Sequence, residues 1–375
     1  MPTRGSLPNA RPSGEAAGAT AASLLADIAA APRPAGGDEE ARVRALCAER
    51  LAAAGFTVSE ESFAYSRVPG CWATPLGGLL AAATIAGAGW MGMAGRMPSA
   101  LGIVLMGIGL LVLGGSALAR RVTTLPLARA WSVNLVATRG TPRAWIVAHL
   151  DSKSQPVPML LRVGGIVIAS VAIVAIAALA IRGMLGWTTP HEVWRALTVG
   201  GCIATIPILG SVVGESSAGA VDDGSGVATV LLAVERLPRE LPIGVLLTSA
   251  EELGMAGAQA FASERRPASA INIDGVDDAG KIICMRHGLA ARPRIGVAHA
   301  AAALGLRVSE RRTIPGLLTD GVALANAGWS AVTLSRGTLA TLARIHRPAD
   351  RAERVLGTGI NEMARLLAQA VREIA

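Results

Sequence analysis

Lysine is all but missing from this chain. Among 375 residues only Lys153 and Lys281 carry an ammonium side chain, so the formal charge of +8 rests on arginine. Those arginines are scattered, with no basic block interleaved with aromatics, and aromatic residues make up only 3% of the sequence. Such a pattern lacks both the electrostatic stripe and the stacking platforms of a nucleic-acid binder, and no nucleic-acid partner is expected. Four cysteines, Cys47, Cys71, Cys202 and Cys284, form no CxxC spacing and are too sparse for a disulfide framework. They read as free thiols, in keeping with a reducing compartment. The N-terminus offers no basic segment feeding a long apolar core, so no signal peptide is expected, and residues 1–17 read as a loose tail rich in Pro, Ala and Gly.

Charge itself is missing over long stretches. Residues 68–95 contain none, nor do 97–119, with Arg96 between them and Arg120-Arg121 closing the second. A second pair follows, 163–181 between Arg162 and Arg182, and 196–214 between Arg195 and Glu215. Each is near or above the ~20 residues that cross a bilayer. The mean hydropathy of +0.47 is also high for a soluble protein. The expectation is two transmembrane helix pairs, at 68–119 and 159–214, the fourth span being the weakest because Thr, Cys and Pro207 interrupt it. Paired spans return the chain to its starting side, so 18–67, 120–158 and 215–375 can fold together as one domain anchored to a lipid bilayer. More arginine and lysine flank the membrane on that side than on the other, which places the domain on the cytoplasmic face of a bacterial-type cell membrane.

The segments outside the spans alternate between strand and helix signals. "FTVSEESF", "WSVNLVAT", "AWIVAHL", "PIGVLLTSA", "SAINIDG", "KIICMR" and "SAVTLSRG" read as strands. Residues 38–55, "GVATVLLAVERL" and the C-terminal stretch read as helices. The fold class is therefore α/β, a mixed, mostly parallel sheet sandwiched by helices.

Polar residues collect at the ends of those strands. "VAHLDS" offers His149 and Asp151, "AVDDGSG" offers Asp222 and Asp223, and "SAEELG" places Glu251 beside Glu252. "INIDG" ends on Asp274 and "RIHRPAD" supplies His346. Taken singly these are ordinary caps and turns. Converging on one sheet edge, two imidazoles and several carboxylates need cations, and two zinc ions suit that donor set. Within the adjacent pair, Glu252 would bind metal while Glu251 takes a proton from water. Asp277-Asp278 in "GVDDAGK" reads as an exposed turn.

These motifs, in this order, resemble metallopeptidase family twenty-eight, the cocatalytic zinc aminopeptidases and their glutaminyl cyclase and receptor-like relatives. "AHLDS", "DDGSG", "EELG", "NIDG" and "HRPAD" carry the resemblance. It implies two zinc ions, or one in a cyclase-type site, held by His149, Asp222, Glu252, Asp274 and His346, with Asp222 bridging. It implies Glu251 as the general acid/base, Asp151 orienting His149, and Asp350 as supporting structure. The implied activity is removal of N-terminal residues from a peptide substrate. The alternatives are a receptor-like protein that has lost catalysis and a single-zinc cyclase. One departure is plain: in "TDGVAL", Gly321 stands after Asp320 where the family has a histidine, so substrate preference is left open.

Overall fold

The computed structural model describes residues 14–288, 290–313 and 318–375, without side chains for 14–19. One sheet of eight strands organises it: β1 (Thr57–Ser66), β2 (Arg129–Thr138), β3 (Ala144–His149), β4 (Ile243–Thr248), β5 (Ser269–Val276), β6 (Lys281–Arg286), β7 (Val308–Arg312) and β8 (Ser330–Gly337). Their spatial order is β1-β2-β4-β3-β5-β8-β6-β7. The central run β4-β3-β5-β8 is parallel, while β1 with β2, β2 with β4 and β6 with β8 are antiparallel.

Sequence explains this order. β3 (AWIVAH) and β4 (IGVLLT) are apolar almost throughout and every residue in them is buried, as a central parallel strand covered on both faces requires. β7 (VSERR) is charged and half exposed at the sheet edge, where charge discourages pairing with another chain. For the same reason it gives no alternating apolar signal, and sequence reading misses it. The C-terminal helix Thr358–Ile374 buries Ile360, Met363, Leu367, Val371 and Ile374 at helical spacing against the sheet. It starts later than the apolar pattern suggests, because Gly357 in the left-handed region precedes it. At the other end a helix runs from Gly14 to Ile28. It therefore takes in residues 14–17 of the expected tail, while 1–13 lie outside the described residues. The four cysteines are free, with Cys47 and Cys284 buried.

Four helices are long and apolar enough to cross a membrane by length and composition: Val68–Met93, Met97–Arg120, Met159–Met184 and His191–Leu209. The second continues through a π-type turn at Leu110–Gly114. They pack as a bundle around Ile85, Ala88, Val104, Ile176 and Trp194, while Trp90, Leu113 and Val171 face outward. The bundle stands beside the α/β body. Both hairpins enter and leave it close to the ends of β3 and β4, and that places the site.

Candidate metal centre

Six of the residues singled out from sequence meet at the C-terminal ends of the parallel strands. His149 closes β3, Asp222 sits in the turn at 220–224, and Glu251 and Glu252 follow β4. Asp274 lies near the end of β5, and His346 follows the short helix Leu339–Arg344. Two donor groups result. His149, Asp222 and Asp274 form one, and Asp222, Glu252 and His346 the other, each with ligand atoms within 4.8 Å of one another. Asp222 belongs to both. Its Oδ1 lies 3.2 Å from His149 Nε2 and its Oδ2 lies 2.9 Å from His346 Nε2.

Backbone and buried polar groups hold this arrangement. The Asp222–Asp223 peptide is cis. Asp350 accepts hydrogen bonds from the backbone N–H of Val221 and Asp222, at 2.9 and 3.2 Å. Asp223, unassigned from sequence, accepts from the backbone N–H of His149, Gly226 and Gly275, tying the ends of β3 and β5 to the start of the helix Ser225–Val234. Arg33 is fully buried: it donates to the carbonyls of Leu150 at 2.7 Å, Ala218 at 2.5 Å and Gly219 at 3.1 Å. It thereby locks the loop after β3 to the segment leading to Asp222. These three partners lie more than a hundred positions away in sequence, so no local signal marks them.

Asp151 does two jobs. Its carbonyl oxygen is 3.0 Å from His149 Nδ1, so an N–H there leaves the Nε2 lone pair facing Asp222. Its carboxylate is 3.5 Å from the same nitrogen and instead accepts from the backbone N–H of Glu251 and Glu252, each at 3.1 Å. Sequence reading expects the orientation of His149 to come from the side chain. The carbonyl makes the shorter contact, and the side chain fixes the Glu251-Glu252 turn.

Electrostatics divide the site. Burial pulls His149 down, but Glu251 and then Asp151 and Asp222 outweigh it and hold the imidazole well above its usual range. Burial likewise lowers His346, yet Glu252 and Asp222 push it up to about 9. Burial raises Glu252, but His346 and Lys153 bring it down to about 2. Glu251, by contrast, is raised well above the carboxylate range by burial and by Glu252, Asp274 and Asp320. Asp274 goes up to about 7 through burial and Asp222. Burial and neighbouring acids thus push Glu251 and Asp274 up, while the imidazole of His346 and the ammonium of Lys153 pull Glu252 down. Glu252 Oε1 is buried 3.2 Å from His346 Nε2 and makes no hydrogen bond. A cation between these atoms satisfies both, and the oxygen and nitrogen donors suit zinc.

Two cations adjoin the second donor group. Lys153 Nζ lies 2.6 Å from Glu252 Oε2, and Arg162 Nη2 lies 3.5 Å from His346 Nδ1. Arg162 belongs to the first turn of the long apolar helix Met159–Met184. Next to this group a cavity of about 210 Å³ opens between Tyr65, Arg67, Lys153, Glu215 and Glu252. A larger hollow of about 380 Å³ near Trp145 and Trp329 contains none of the metal-centre residues.

Comparison with known proteins agrees with this geometry. Residues 196–371 match the profile of Peptidase family M28. Over that segment the chain is similar to this family. Solved structures share the fold. An aminopeptidase from Aneurinibacillus sp. strain AM-1 superposes with TM-score 0.55 at 13% identity, covering 96% of this chain and 94% of that one. The zinc aminopeptidase BSAP from Bacillus subtilis gives 0.54 at 14% identity, with 94% of each chain covered. A glutaminyl cyclase from Fimbriiglobus ruber gives 0.53 at 14% identity, covering 97% of this chain and 99% of that one. No curated protein matches the chain.

The structure corrects one sequence reading, at Asp277-Asp278, and accounts for another, at Gly321. Asp277-Asp278 is not an exposed turn. Asp277 is buried and paired with Arg344 at 2.7 Å, two residues before His346, and so anchors the loop that carries this histidine. Asp278 receives Thr358 Oγ1 at 2.8 Å and Gly359 N at 2.9 Å, starting the C-terminal helix. Beside Gly321 lies the ring of His287: a Cβ at 321 would sit 2.8 Å from His287 Nε2 and 2.5 Å from Thr333 Oγ1. An imidazole from the end of β6 thus fills the space a side chain at 321 would need. It is held between Thr313 and Thr333, and burial lowers it to about 4.

Proposed function

We propose that the chain is a membrane-anchored, zinc-dependent exopeptidase of the aminopeptidase type. The observation that carries the reading is the pair of donor groups sharing Asp222, with Glu251 beside them and outside both. His149, Asp222 and Asp274 would hold one zinc, and Asp222, Glu252 and His346 the other. Zinc there would polarise the scissile carbonyl and make the attacking water more acidic. Glu251 takes one proton from that water as its oxygen bonds to the carbonyl carbon. It returns the proton to the leaving nitrogen as the C–N bond breaks, giving a free amino acid and a shortened peptide. Its raised affinity for a proton, from burial and neighbouring acids, suits both halves of the transfer. The substrate's free amino group would be held close to the same acids.

The four long apolar helices would anchor the enzyme in a bilayer. With Arg67, Arg120, Arg121, Arg129, Lys153 and Arg162 near their α/β-body ends, that body would lie on the cytoplasmic face. A reporter at the C-terminus that is active only outside the cytoplasm would reverse the orientation.

The deciding experiment measures zinc per chain and hydrolysis of aminoacyl substrates, with Glu251→Gln alongside. Two zincs retained in the variant, with kcat reduced about 10²–10⁴-fold, is the expected result. One zinc per chain, with cyclisation of N-terminal glutaminyl peptides, would replace the peptidase by a cyclase on the same fold. No zinc after reconstitution would leave a receptor-like protein.

A further inference from the structure

We propose that Gly70, on the first apolar hairpin, is a positioning residue for the turn that carries Glu251 and Glu252. Gly70 lies in the first turn of the helix Val68–Met93. A Cβ built on it would stand 2.2 Å from Leu253 Cα, 2.6 Å from Leu253 C and 2.8 Å from Leu253 O. All three are backbone atoms and cannot swing aside. The start of the hairpin and the turn at 251–254 are in main-chain contact, which only glycine allows here.

The turn is gripped from two sides. Asp151 accepts from the N–H of Glu251 and Glu252, and Gly70 closes the opposite side against Leu253. One residue further, the space at Gly254 is bounded by Val122 and Pro69. Val122 lies two residues after the end of the hairpin's second helix, and its carbonyl accepts from Ser66 N at 2.7 Å. Val122 is fully buried in one cluster with Leu253, Ala250 and Tyr65. Both ends of the hairpin therefore converge on the turn. A shift of either end moves Glu251 relative to His149, and Glu252 relative to His346. A methyl group at 70 forces a displacement on the order of 1 Å, enough to cost about 100-fold in a rate that depends on placed groups.

The activity side of this inference rests on the hydrolase reading above, while its structural side does not. The test compares Gly70→Ala with Gly77→Ala in the same helix, where a Cβ meets only Leu111 Cδ2 at 3.9 Å. Hydrogen exchange is followed in the metal-free, detergent-solubilised full chain, and kcat and KM in the zinc-loaded one. Gly70→Ala is expected to speed exchange over 249–257 and not over 269–276, and to lower kcat about 100-fold with little change in KM. Gly77→Ala should change neither. A folded Gly70→Ala protein with wild-type exchange over 249–257 overturns the proposal. If wild-type protein hydrolyses no peptide, the hydrolase reading fails while exchange still decides the role of Gly70. Should Gly70→Ala not fold, Val122→Ala loosens the same turn from the other end of the hairpin. Unchanged exchange over 249–257 in that variant overturns the proposal equally.

Discussion

The α/β body and the helical bundle bury opposite things. Beneath the sheet edge the body buries charge: Arg33, Glu40, His149, Asp151, Asp223, Glu251, Glu252, Asp320 and Asp350 are all under a tenth exposed. The bundle buries Ala, Ile, Val and one Trp, and leaves Trp90, Leu113 and Val171 more than half exposed. Buried polar groups are tolerated in the body because most are bonded to backbone: Asp223 to three N–H groups, Asp350 to two, Arg33 to four carbonyls. The bundle's outer faces are apolar, as the proposed bilayer anchor would need. One half is organised by hydrogen bonds that cannot be broken cheaply, and the other by apolar packing.

Arg33→Ala should hurt most. Removing the guanidinium leaves the carbonyls of Leu150 and Ala218 without this donor and Gly219 with only the N–H of Gly224. A cost of about 3–5 kcal/mol is expected, or roughly 10 °C in unfolding midpoint. Zinc affinity should fall with it, because Gly219 leads into the turn of Asp222. Thermal unfolding in detergent with a parallel zinc titration would show both. A midpoint within about 2 °C of wild type would remove Arg33 from the frame of the site.

Val171→Asp tests the other half. Val171 lies midway along the helix Met159–Met184 and is 62% exposed. On a water-facing surface such a change stays within about 0.5 kcal/mol. At the centre of a bilayer span a carboxylate costs about 2.5–3.5 kcal/mol. Membrane insertion of the third span should therefore fall sharply, and an insertion assay that shows no loss would leave the bundle without a bilayer.

A third prediction concerns acid and base. Asp274 and Glu40 are raised to about 7, so the metal-free fold holds their protons more tightly than the unfolded chain and loses stability as pH rises toward 7. His346, raised to about 9, adds a contribution that is complete below 6.5 and lost as pH climbs through 9. Glu252, lowered to about 2, works in reverse: its contribution is present above 4.5 and lost as pH falls through 2. Unfolding midpoints of the chelator-treated protein should peak near pH 5 and decline steadily to pH 9. A flat profile would mean that these groups do not carry the shifts their surroundings impose.

Much of this was legible in the sequence, and the reason is local. A strand in the sheet centre must be apolar along its length, so β3 and β4 stood out; a charge-free run of twenty residues is equally plain. Most candidate donors were readable because they close such a strand or open a helix, while His346, in the loop after a short helix, stood out only through the motif HRPAD. What escaped depends on contacts distant in the chain. Lys153 is one of two lysines, yet its place beside Glu252 is set by strand order. Arg162 looked like a membrane-flanking charge and lies against His346. Glu40, one of three acids in the first turn of its helix, is buried and its Oε2 accepts from Gly36 N. Asp277 and Asp278 read as a turn because nothing nearby announces Arg344 or the C-terminal helix.

The smallest effect sharpens the contrast between charge that is organised and charge that is only present. Arg50 and Glu235 form an ion pair at 3.2 Å, with side chains 40% and 44% exposed. Lys153 and Glu252 form one at 2.6 Å, with side chains 18% and 5% exposed. The first is in water, where screening and side-chain entropy cancel most of the attraction, so Arg50→Ala should cost less than about 1 kcal/mol and less still in high salt. The second holds a carboxylate that has little other solvation, so Lys153→Ala should destabilise the metal-free chain measurably, with little response to salt. Zinc should reverse that ranking of conditions: loaded protein loses less from Lys153→Ala than metal-free protein, because the cation then shares the carboxylate. Equal losses with and without zinc would mean that Glu252 is no ligand, and that the ammonium is its permanent partner.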